Sequence, residues 1–88
     1  MSLMGFKSSR RLKAGDIETG RVYRSHPANG VVETAHVLSI MPDRLGIQHV
    51  HFRVKVQQKA YDWFEDSRTL NMTSFMERFP LRHELETA

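Results

Sequence analysis

The chain has 88 residues, enough for one small domain, and a domain of that size buries only about 60–65% of its extended surface. It contains no cysteine, which excludes disulfide staples, thiolate metal sites and thiol nucleophiles together and fits a reducing, cytoplasmic setting. No apolar run approaches the roughly 18 residues of a membrane helix, and none follows a basic start as in a signal peptide. The net charge is +3 and unevenly placed: residues 1–26 carry six Lys/Arg against two acids, residues 59–88 four against six.

Met1-Ser2-Leu3, ahead of a second methionine at Met4, reads as a cloning remnant and is left out of fold reasoning. Residues 1–14 form a flexible basic arm. Lys7, Arg10, Arg11 and Lys13 stand beside Ser8 and Ser9, with little apolar surface to offset the entropy of ordering. Residues 14–20 are a turn punctuated by Gly15-Asp16. The single domain spans residues 15–80.

Residues 21–26 read as a first strand. Asn29-Gly30 then marks a hairpin, because both residues tolerate positive φ. Residues 31–41 are rich in Val, Ile and Thr and read as a second strand. Pro42 and Gly46 bound the next turn. In residues 47–57, Val50, Phe52, Val54 and Val56 alternate with His49, His51, Arg53, Lys55 and Gln57. That period of two assigns one face to the core and the other to water. Residues 61–65 suggest a short strand, residues 65–68 a polar turn and residues 69–73 a last short strand. Ser74-Phe75-Met76-Glu77 has the form of a capping box and predicts one helical turn over residues 75–79, stopped by Pro80. Residues 81–88 read as a loosely ordered tail. Short strands at this spacing form an antiparallel meander, mostly β in class. Curling into an SH3-like barrel is the first expectation, since it removes exposed edges. A more open curled sheet is the second.

The segment Gly20-Arg21-Val22-Tyr23-Arg24-Ser25-His26 is similar to the Gly-x-Tyr-Arg-His opening of a family of short uncharacterised bacterial proteins. Trp63 and Ser74-Phe75-Met76-Glu77-Arg78-Phe79 match that family's C-terminal Trp and Met/Phe segment. The resemblance covers about residues 15–79. It departs in an extra residue between Gly20 and Tyr23, and in Trp63-Phe64-Glu65-Asp66 where the family has Trp-Val-Arg-Pro. It implies a small bacterial β domain and transfers no active site, because the family's function is unassigned.

For chemistry, the histidines come first. A hairpin pairing Met41 with Gly46 sets His36 opposite His51, with His49 on the same face, and three imidazoles on a sheet can hold zinc or iron. A one-residue slip sends His36 to the other face, and no carboxylate is placed to orient the ligands. There is no G-x-S-x-G, S-x-x-K or glycine-rich phosphate loop, and Asp62, Glu65 and Asp66 fit a solvated turn. The expectation is a binding domain without catalysis or cofactor. Nucleic acid is the first partner, through Lys7, Arg10, Arg11 and Lys13 on the arm, Arg21 and Tyr23 alternating on the first strand, and Arg53 and Lys55 on the wet face. A protein partner is the alternative, through a groove at Tyr61 and Trp63 beside the acids. A sheet edge could also pair with a second copy to give a homodimer.

Overall fold

The computed structural model describes residues 12–59 and 62–83; for Lys59, Asp62 and Trp63 it describes the backbone alone. Lys7, Arg10, Arg11 and Tyr61 lie outside the described residues, as does most of the expected arm and tail. The elements are a 3₁₀ turn at Ala14–Asp16, β1 (Val22–Arg24), β2 (Val32–Pro42), β3 (Gln48–Lys59), β4 (Asp62–Asn71), α1 (Met72–Arg78) and β5 (Leu81–Arg82). All strands are antiparallel neighbours in one sheet of order β4-β3-β2-β1-β5.

β1 and β2 join as the sequence predicts. Ala28 and Val31 exchange both backbone hydrogen bonds, at 3.0 and 2.9 Å. Asn29 (φ 54°) and Gly30 (φ 76°) turn the corner between them. Two consecutive positive φ values define the type I′ turn that matches strand twist. Residues 62–71 differ from expectation. The polar turn and the two short strands are one continuous strand, paired with β3 from His49↔Asn71 to Lys59↔Asp62. Charged and hydroxyl side chains suit this position because β4 is an edge, with one side against β3 and water on the other.

The helix also starts earlier than expected. Asn71, rather than Ser74, is the N-cap: its side-chain oxygen accepts from the Ser74 N–H at 2.8 Å. The capping-box pattern is three residues out of register with the actual cap, because Asn at the strand end supplies the same acceptor. Phe79 closes the helix with its N–H on the Phe75 carbonyl. The chain then returns along β1, where Leu81 and Arg82 pair with Arg24 and Tyr23.

α1 and the 3₁₀ turn cover one face of the sheet. Beneath them lie Ile17, Tyr23, Ala35, Val37, Val50, Phe52, Val54 and Val56, with Phe75 and Phe79 from the helix side. Phe75 sits edge-on to Tyr23 and Phe52, with centroids 5.7 and 5.1 Å away, and Phe79 edge-on to Phe52 at 5.3 Å. Such edge-to-face packing adds to simple area burial. The helix and the 3₁₀ turn together lid this apolar face. β4 and β5 remain at opposite ends of an open sheet, with no pairing between them to close a barrel.

Candidate nucleic-acid interface

The face of the sheet opposite α1 is composed by register. Cross-strand partners share a face, so Val22, His36, Arg53 and Ser67 form one row and Arg24, Thr34, Lys55 and Glu65 the next. Ser39, His51 and Thr69 follow, then Met41, His49 and Asn71. His36, His51, Arg53 and Lys55 are exposed. Alternation in β3 makes this inevitable, because Val50, Phe52, Val54 and Val56 take the other side. Arg24, Arg53 and Lys55 put three permanent cations in two adjacent rows, against the single carboxylate of Glu65.

Arg24 is the residue that sequence reasoning missed. Its Nε is buried and has no hydrogen-bond partner among the described residues. The signal was available: if Tyr23 is core, its neighbours Val22 and Arg24 must face outward. Tyr23 is indeed core, fully buried at 0% exposure. Its hydroxyl donates to the Asp16 carbonyl at 2.7 Å and accepts from the Glu18 N–H at 3.0 Å. Burial pushes the phenol pKa up, with the Glu18 hydrogen bond opposing. Tyr23 is thus corrected from a candidate nucleic-acid contact to the strut that ties the 3₁₀ turn to the sheet. Arg21 lies just before β1, exposed, with its Nε 2.6 Å from Glu18. It does not share the cationic face. Lys13 is exposed, and its backbone N–H donates to Asp16 at 2.8 Å.

The three histidines share the face but not the expected pairing. His36 stands opposite Arg53, and His51 opposite Ser39. The ladder shifts register between Val37 and Ser39, so Leu38 falls in a bulge. The expected turn pairing fails first: Met41 pairs with His49, not Gly46, so the ladder is displaced by three residues from the turn onward, and the bulge takes back one of them beyond Ser39. His51 Nδ1 meets Thr69 Oγ1 at 3.0 Å, and His49 Nε2 donates to Asp43 Oδ2 at 2.9 Å. Among the described residues no three His, Cys, Asp or Glu side chains are grouped to hold a metal ion. Trp63 pairs through its backbone with Gln57.

A small cleft of about 70 Å³ opens on the helix-covered face, over the inward residues of β3 and β4. Phe52, Val54, Leu70 and Phe79 line it, with Arg68 beside them. Arg78 closes one side by a two-pronged contact to Glu33, at 2.9 and 3.0 Å.

Searches against protein-family models, curated proteins and solved structures find no match to this chain. No helix among the described residues is long and apolar enough to cross a membrane.

Proposed function

We propose that this protein is a small, non-catalytic binding domain that holds nucleic acid on the uncovered sheet face. The observation that carries the reading is the pair of adjacent rows holding Arg24, Arg53 and Lys55 with His36 and a single acid, Glu65. A flat surface of spaced cations suits a phosphate backbone, which offers regularly spaced anions and releases counterions when they are neutralised. The basic residues Lys7, Arg10, Arg11 and Lys13 add charge in the same chain. Binding through these cations would be backbone-directed and indifferent to base sequence. A cytoplasmic location, kinship with the short bacterial family and an SH3-like curl of the sheet belong to the same proposal.

Fluorescence anisotropy against a mixed-sequence single-stranded RNA and a DNA duplex tests it. Binding should weaken steeply between low and physiological salt. Arg53→Ala and Lys55→Ala should each weaken binding to all sequences alike and lower the salt slope by about one. Their thermal midpoints should stay near that of the parent, since exposed side chains away from the core change stability by only about 0.5 kcal/mol. An absence of binding at low salt, or affinity unmoved by both substitutions, would sink the reading.

A further inference from the structure

Among the described residues, β4 is an edge strand of ten residues, while the other edge is the two-residue β5. The Ser67 N–H donates to the Asp66 carboxylate at 2.9 Å instead of to β3. It therefore points away from the sheet, and antiparallel alternation turns the backbone groups of Glu65, Ser67 and Thr69 to the same open side. On the helix-covered face this edge carries Phe64, Asp66, Arg68 and Leu70, set opposite Val56, Val54, Phe52 and Val50. Phe64 is 53% exposed, although its partner Val56 is core.

We infer that two copies of this chain associate through β4, antiparallel, about a two-fold axis at Ser67. This inference is independent of nucleic-acid binding. The register follows from the strand's own sequence. With Ser67 facing the partner's Ser67, Asp66 faces the partner's Arg68 and Phe64 faces the partner's Leu70. All four pairings occur on the helix-covered face of a continuous sheet, at the close spacing of cross-strand neighbours. Three neighbouring registers set like charges together at the axis, and centring on Thr69 sets Arg68 against Leu70 and leaves Asp66 without its opposite charge. Centring on Glu65, Asp66 or Arg68 would press two glutamates, two aspartates or two arginines against each other. Association hands the Ser67 N–H to the partner's carbonyl and releases Asp66 to meet the partner's Arg68. In the single chain Asp66 reaches its own Arg68 only at 3.4 Å.

The cleft gives the exposed ring a destination. Leu70 lines it together with Phe52, Val54 and Phe79, so a phenyl ring set against Leu70 lies at its mouth. Each copy thus contributes Phe64 to a hydrophobic site completed by the other. The two cationic faces also come onto one side of a joined sheet, doubling the surface proposed above.

Sedimentation equilibrium on the full chain tests this by charge exchange. Asp66→Arg sets arginine against arginine across the axis, and Arg68→Asp sets aspartate against aspartate. Each alone should raise the dimer dissociation constant on the order of tenfold to a hundredfold. The double exchange Asp66→Arg/Arg68→Asp restores opposite charges and should recover dimerisation. Mixing the two single variants should give a heterodimer. All sites are exposed strand positions, and circular dichroism checks that each variant is folded. A parent chain that remains monomeric at high concentration overturns the inference. So does a dimer indifferent to the single exchanges, or one that the double exchange fails to rescue.

Discussion

The two faces of this sheet are made from the same strands and behave as different materials. In β3, Phe52 and Val54 are buried while Arg53 and Lys55, their immediate neighbours, are exposed. The covered face is an aromatic assembly in which Phe75 touches both Tyr23 and Phe52. The open face is a lattice of single polar contacts, such as His51 to Thr69. The difference teaches where stability and recognition reside: one face orders the chain, and the other is free to carry charge because it contributes little to that order.

The sharpest way to break this comparison is at Phe75. Phe75→Ala removes the ring at the centre of the aromatic cluster, and such truncations cost about 3–5 kcal/mol. That is a large share of the whole stability of so small a domain. Chemical denaturation should show a greatly lowered midpoint or an unfolded chain. A loss as small as those from Arg53→Ala and Lys55→Ala would mean that the two faces are energetically alike.

Tyr23→Phe is a gentler version. It keeps the ring and removes the hydroxyl, and with it the hydrogen bonds to the Asp16 carbonyl and from the Glu18 N–H. The expected cost is about 1–3 kcal/mol. The pH dependence sharpens it. A phenol with a raised folded pKa keeps its proton in the folded state after the unfolded chain loses its own. Stability attributable to Tyr23 is therefore complete below about 10, the ordinary phenol value, and is lost as pH rises from there through the folded value. Tyr23→Phe should remove that alkaline decline. Denaturation curves of parent and variant that fall in parallel above this pH would contradict the assignment.

Much of the covered face was legible from alternation alone. Val50, Phe52, Val54 and Val56 announce their burial, and Asn29-Gly30 announces its turn. What alternation leaves open is phase in short segments and the identity of edges. β1 has three residues, too few for alternation alone to show whether Tyr23 or its neighbours point inward, and the pattern points to Arg21 rather than Arg24. β4 is polar at Glu65, Asp66 and Ser67 because it borders water, and the same composition reads locally as a turn. The bulge at Leu38 has no signature in residue type, yet it decides that His36 faces Arg53. The candidate site is therefore legible in its β3 half and not in its β1 and β2 half.

The smallest effect tests a place where an open-face side chain, His49, helps hold a turn. At the β2–β3 turn, Asp43 Oδ1 accepts from the Leu45 and Ile47 N–H groups at 2.8 and 3.0 Å, while Oδ2 accepts from His49. The His49 hydrogen bond, then that from Ile47, holds the Asp43 carboxyl below its ordinary value. A lowered folded pKa gives stability that is present above the ordinary value, about 3.8, and disappears as pH falls through the folded one. Asp43→Asn keeps an oxygen acceptor for the turn and removes the charge. The variant should be less stable than the parent at neutral pH, and its thermal midpoint should approach the parent's as pH falls below this range. The site is exposed, so the separation is the smallest of the three. Curves that stay equally spaced down through the acid range would mean that Asp43 contributes only turn geometry, and that the open face holds no structure electrostatically.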